Sequence, residues 1–151
     1  MARQILKGLT MLLMTLALAA ASAVAANGQS KQKLIAHVPF DFVVAEKTFR
    51  SGEYDVRAAN QAGAIVIKGV AGDKVLRLSS PKERRDRRMD AKLVFHRYGN
   101  TYFLAEIWMA GESMGRELPK TRGERAIERE LKTVASNKLA YEVVEVIAMA
   151  R

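Results

Sequence analysis

The chain contains no cysteine. That excludes disulfides, thiolate nucleophiles, Cys-ligated metals and a lipidated N-terminal cysteine, so packing alone must hold the core. Histidine is nearly as scarce, with only His37 and His96. They stand in no HxH or HExxH spacing and cannot supply the three or four clustered ligands of a zinc centre. No Asp-x-Asp-x-Asp-Gly loop offers a calcium site. The glycine-containing stretch GVAGDK, residues 69–74, lacks the length and the Lys-Ser/Thr ending of a phosphate-binding loop. Neither a metal nor a cofactor is therefore expected.

Long apolar runs are also missing, except at the N-terminus. Arg3 and Lys7 precede an uncharged stretch from Gly8 to Ser30, whose most apolar part is Leu9–Leu18 and which ends in the small-residue pattern Ala23-Val24-Ala25. This is the layout of a secretory signal peptide cut after Ala25 or Ala26. The alternative is an uncleaved anchor, because Leu9–Ala26 approaches the roughly 20 residues that span a bilayer. Alanine is a weak membrane residue, which favours cleavage and a periplasmic or secreted product with no further membrane span. The expected organisation is a signal peptide over 1–25, a polar flexible lead over 26–33, and one β-rich domain over 34–151.

The formal charge of +9 falls to +7 when Arg3 and Lys7 leave with the signal. An exported protein rarely meets nucleic acid, so this excess points to an anionic envelope polymer, lipid headgroups or an acidic protein partner, or simply to solubility.

Short runs of period-two alternation, broken by turn residues, fill the mature chain. LIAHVPFDFVVA predicts one or two strands with Pro39 at an edge or bend. KTFRSGEYDVRAA predicts a turn at Ser51-Gly52 leading into a strand over Glu53–Ala58. AIVIKG and KVLRLSS predict two more strands around the turn at Gly69, Gly72 and Asp73. The expected fold is all-β: an antiparallel sandwich or a partly open barrel with one C-terminal surface helix. That helix is TRGERAIERELKTVAS. Thr121 and Glu124 form a capping-box pattern, Ile127, Leu131 and Val134 share a narrow apolar face, and Glu128 and Lys132 are a favourable i,i+4 pair. In the tail AYEVVEVIAMA, the β-branched Val143, Val144, Val146 and Ile147 favour a last strand over continued helix.

Between the strands, Ser80–Lys92 is dense in charge and reads as a solvated loop. Its Arg84, Arg85, Arg87 and Arg88 are candidate anion ligands, since guanidinium forks grip phosphate, sulfate or carboxylate. Interleaved Glu83, Asp86 and Asp90 offset part of that charge. No aromatic residue stands among them to stack a base.

The densest group of chemically capable residues is VFHRYGNTYFLAEIW, Val94–Trp108. With Gly99-Asn100 as a two-residue turn, Tyr98 pairs with Thr101, Arg97 with Tyr102, His96 with Phe103 and Phe95 with Leu104. Alternation then puts Val94, His96, Tyr98, Thr101, Phe103, Ala105 and Ile107 on one face. Leu93, Phe95, Arg97, Tyr102, Leu104, Glu106 and Trp108 fall on the other. His96 and Glu106 are thereby separated unless a bulge intervenes, and Phe95, Leu104 and Trp108 are assigned to the core. A ligand-facing groove of His96, Tyr98 and Thr101 is the candidate site.

Catalytic alternatives are weaker. GESMG, Gly111–Gly115, matches G-x-S-x-G around Ser113, but it follows a hairpin rather than the strand–turn–helix of a hydrolase elbow. Asp41, Glu46, Glu53, Asp55 and Glu106 are carboxylates with nothing in the sequence to bring two together for glycosidase-like work.

The segments VPFDFVVAEKTFRSGEYDV and KLVFHRYGNTYFLAEIWMAGESMGRELPK resemble a family of small exported proteins recurring in acidobacteria and similar soil bacteria. The shared features are a Val-Pro-Phe-x-Phe strand, a Gly-x-Tyr turn, the Phe-His-Arg-Tyr-Gly hairpin and a Gly-Arg-Glu-Leu-Pro end. The chain departs from that pattern at two turns, with Ala45-Glu46 in place of glycines and Arg50-Ser51 in place of Pro-Ala. The resemblance carries no assigned activity, so it implies no catalytic residue. The leading expectation is a non-enzymatic envelope or extracellular binding module. A small secreted hydrolase acting on carbohydrate and an assembly protein pairing through a strand edge are the alternatives.

Overall fold

A computed structural model describes residues 33–59, 63–134 and 141–151. The expected signal peptide over 1–25 and the expected lead as far as residue 32 lie outside the described residues. Twelve strands and one helix follow in chain order: β1 (Lys33–Val38), β2 (Phe42–Val44), β3 (Lys47–Phe49), β4 (Gly52–Ala58), β5 (Ala64–Gly69), β6 (Lys74–Leu78), β7 (Ser80–Glu83), β8 (Lys92–Tyr98), β9 (Thr101–Trp108), β10 (Met114–Glu117), α1 (Arg122–Val134), β11 (Glu142–Ile147) and β12 (Met149–Ala150).

They make a β-sandwich. One sheet has five strands in the order β12-β1-β4-β5-β6; the other has seven, ordered β11-β8-β9-β10-β7, with the hairpin of β2 and β3 joined through β9. The chain passes between sheets four times: from β1 to β2, from β3 to β4, at Ser79 where β6 gives way to β7, and at Ala148 where β11 gives way to β12. All pairings are antiparallel except the single bridge Val43 to Phe103.

Alternation explains the core. Leu34, Ala36 and Val38 of β1, Tyr54 and Val56 of β4, and Ile65 and Ile67 of β5 point inward and are buried. They meet Phe42, Leu93, Phe95, Leu104 and Ile107 of the larger sheet in one apolar cluster. Phe42 is the hub of its aromatics, with ring centroids 5.5 Å from Phe49, 4.9 Å from Tyr54 and 5.3 Å from Phe95. Such pairs contribute about 0.5–1.5 kcal/mol each beyond the area they bury.

Several expectations hold. Pro39 lies between β1 and β2, GVAGDK joins β5 to β6, and the tail is strand. Others need correction. Lys33 belongs to β1 rather than to a flexible lead. Ser80–Lys92 is not one solvated loop: Ser80–Glu83 pairs with Met114–Glu117, which itself is strand rather than connector, and Lys92 opens β8.

The hairpin faces also change. The pairing proposed from Tyr98/Thr101 to Phe95/Leu104 is present, but the register then shifts and Val94 faces Glu106. Ala105 is the extra residue of a β-bulge, and beyond it every side chain of β9 changes side. Glu106 and Trp108 join Lys92, Val94 and His96 on one face, while Ile107 turns into the core beside Phe95 and Leu104.

Candidate functional site

The face of the larger sheet turned away from the smaller one is where the charged strand residues collect. Lys92, Val94 and His96 alternate along β8, with Val143, Glu145 and Ile147 of β11 opposite them on one side and Glu106 and Trp108 on the other. The segment after β7 rises beside them, and together they bound a groove of about 380 Å³. Arg84, Arg85 and His96, which the sequence presented as parts of two separate candidates, all line it.

Trp108 is the keel of this wall. Its indole lies on Gly115, where a Cβ would come within 2.4 Å of Cε3. The Arg84 guanidinium packs over the ring at 4.8 Å from its centroid. Indole Nε1 donates to Glu106 Oε2 at 2.9 Å.

Arg84 is accordingly no free anion fork. Its side chain is only 2 % exposed. Nε donates to the carbonyl of Glu112 at 3.1 Å, Nη2 to those of Asp90 and Met109, each at 3.2 Å, and Nη1 to that of Arg88. A guanidinium that spends its donors on four carbonyls organises the segment between β7 and β8. Arg85 stays exposed on the rim, while Arg87 and Arg88 are exposed and outside the groove lining.

Two lysines tie the floor together. Lys82 Nζ lies 2.5 Å from Glu106 Oε1 and 3.0 Å from Glu117 Oε1; Lys92 Nζ lies 2.8 Å from both Asp86 Oδ2 and Glu145 Oε1. Burial alone would lower both ammonium groups, but their paired carboxylates outweigh it and hold them above the ordinary lysine value. The hydrogen bond from Lys92 leads the effects that keep Asp86 below the usual carboxylate range.

At the other end, α1 seals the sheet. Thr121 Oγ1 accepts from the Glu124 amide at 3.0 Å, as the capping pattern predicts. The Glu124 carboxylate does not turn back to complete the box. It is buried against β8, with Oε1 2.8 Å from His96 Nδ1, and it accepts from the Tyr98 hydroxyl at 3.3 Å. Burial first, and then the Glu124 charge, push the Tyr98 hydroxyl well above the ordinary tyrosine value. The His96 ring stacks on Tyr141 with centroids 4.0 Å apart, and Lys120 Nζ sits 5.2 Å from the Tyr141 centroid. Glu46 helps hold the helix, because its Oε1 accepts from the Arg122 amide at 2.5 Å.

Of the proposed trio only His96 reaches the groove. Tyr98 is buried and bonded to Glu124, and Thr101 sits beside the hairpin turn outside the lining. Lys82, Lys92, Glu145 and Tyr141 were not recognised from sequence as site residues. Lys82 and Lys92 both fall within the charge-dense stretch Ser80–Lys92, of which only the arginines were candidates. Of the sequence-stated carboxylates, Asp41 accepts from the Ser51 amide and Asp55 pairs with Lys33. Glu53 and Asp55 sit by a separate hollow on the smaller sheet, and only Glu106 reaches this groove. Ser113 stays outside it; its carbonyl accepts from the Arg84 amide. Among the described residues no cluster of three or more His, Asp or Glu could hold a metal ion.

No family model matches the chain, and no curated protein or solved structure matches it either.

Proposed function

We propose that the protein is a non-enzymatic binding module of the envelope or extracellular space, and that the groove over β8 takes an uncharged saccharide. The observation that carries this reading is the groove's internal balance. Lys82, Arg84, Arg85 and Lys92 meet Glu83, Asp86, Glu106 and Glu145, four charges against four. A net anion gains little attraction there, whereas hydroxyl groups, each donor and acceptor at once, can bridge carboxylates and ammonium groups alike. Val143 and Tyr141 supply apolar and aromatic surface beside the polar groups, backed by the buried Val94 and Trp108, the mixture that small-molecule sites use for contact area and orientation. The N-terminal signal pattern and the likeness to small exported proteins support the setting.

The groove also bears on carbohydrate hydrolysis. Acid–base catalysis by two carboxylates needs their proton affinities driven apart. Asp86, Glu106 and Glu145 are each tied to a lysine ammonium, so none of the three stands free to exchange a proton with a substrate. That supports binding without turnover.

Val143, 57 % exposed on the groove's edge, gives a test that spares the packing. Neutral oligosaccharides are screened against the wild type and against Val143→Arg, which fills the groove. Expected is a bound oligosaccharide whose affinity drops at least tenfold in the variant at unchanged melting temperature. Equal binding by both proteins, or no binding by the wild type, would sink the proposal.

A further inference from the structure

A row of exposed positive charge lies on α1, away from the groove. Arg122, Arg125, Arg129 and Lys132 recur at intervals of three, four and three residues, which at 3.6 residues per turn puts them on one face. Together with Glu128 they line an open depression of about 550 Å³. Glu128 does not cancel them. Its carboxylate is bonded to Lys120 at 2.8 Å and Lys132 at 3.0 Å, and those two lysines hold it below the usual carboxylate range. Glu124, the other acid of the first turns, is buried against His96. All four basic residues are exposed, and among the described residues the three arginine guanidinium groups have no carboxylate partner.

We infer that this face binds an acidic linear polysaccharide carrying about one carboxylate per sugar unit. Along the helix axis the four cations are about 4.5, 6 and 4.5 Å apart, from a rise of about 1.5 Å per residue. That spacing is close to the length of one hexose unit in an extended chain, so successive uronate groups can meet successive arginines. Guanidinium forks favour carboxylates in this arrangement. A lipid surface fits less well. A helix lying on a membrane inserts an apolar face, but the basic face presents only charged and polar side chains, while Ile127 and Leu131 lie on the opposite side. Nucleic acid fits less well too, because no aromatic residue accompanies the arginines to stack bases.

The test is binding of the purified protein to polygalacturonate, with dextran, anionic phosphatidylglycerol vesicles and duplex DNA in parallel. The affected variant is Arg122→Gln/Arg125→Gln/Arg129→Gln. The control is Lys68→Gln/Lys74→Gln/Arg77→Gln on β5 and β6, which removes the same net charge elsewhere. Polygalacturonate should bind in a salt-dependent manner, dextran should not compete, and the helix triple variant should lose roughly tenfold or more while the control loses little. Similar losses in both triples would reduce the effect to net charge and overturn the assignment. Tighter binding to vesicles or DNA than to polygalacturonate would overturn it as well. Val143→Arg leaves this binding unchanged, so failure here and failure of the groove are distinguishable.

Discussion

Gly115→Ala probes the wall of the groove at one methyl group. The added Cβ would stand 2.4 Å from Trp108 Cε3 and 2.6 Å from both Cδ2 and Cζ3. Contacts between carbon atoms settle near 3.5–4.0 Å, so the indole must retreat by about 1 Å. It has little room: Trp108 is 5 % exposed and the Arg84 guanidinium covers it. Overpacking of this kind costs about 1–3 kcal/mol. Displacement also strains the indole bond to Glu106 and the four carbonyl bonds of Arg84, which places the expected loss at about 2 kcal/mol or above. Trp108 is the only tryptophan in the chain, so its fluorescence reports the local change while urea unfolding reports the energy. A loss of midpoint with a shifted native emission spectrum is expected. Stability within about 0.5 kcal/mol of wild type, the ordinary effect of a surface substitution, with unchanged emission would refute the packing described for this wall.

Glu124→Ala should destabilise the protein by about 3 kcal/mol, because it removes a buried carboxylate that holds both His96 and Tyr98; hydrogen exchange of the α1 amides should accelerate with it, and unaltered protection would contradict the account. Ala45→Gly should stabilise by about 1 kcal/mol in urea unfolding, since Ala45 and Glu46 hold φ of 51° and 66° in the β2–β3 turn, a region that costs non-glycine residues about 1–2 kcal/mol each; a destabilised variant would show the turn is not strained. Stability should fall above about pH 10. Unfolded tyrosine and lysine lose protons near pH 10 and 10.4 respectively, whereas folded Tyr98, Lys82 and Lys92 keep theirs to higher pH; the stability from these raised values is complete below that point and is lost as pH rises toward the folded values. Urea midpoints from about pH 8 to 11 check this, and a midpoint that stays level or rises would contradict it.

What could be read from sequence followed the range of each local signal. The Gly99-Asn100 turn sets the hairpin register as far as Phe95 and Leu104, because pairing counts outward from the turn. It fails at Ala105 because a bulge needs no special residue there, and one extra residue moves Glu106, Ile107 and Trp108 to the opposite faces. Ser80–Glu83 was hidden for another reason: an edge strand exposed on both faces shows no apolar alternation, and Pro81 is admissible at an edge. Thr121 was correctly placed as a helix cap. The destination of the Glu124 carboxylate was not visible, since it depends on how α1 lies over β8. The convergence of Arg84 and Arg85 with His96 is likewise a property of the sheet order, in which β7 and β8 are separated by β9 and β10.

On the proposed reading, the bulge, the two lysine clusters and His96 together form a single saccharide-binding groove. Nuclear magnetic resonance of the ¹⁵N-labelled protein, titrated with the best neutral oligosaccharide from the screen, tests it most directly. Saturable shifts of the Trp108 indole N–H together with the amides of Val94, His96 and Val143 are expected, while the amides of β5 and β6 stay fixed. Shifts confined to other surfaces, or none at saturating ligand, would contradict it.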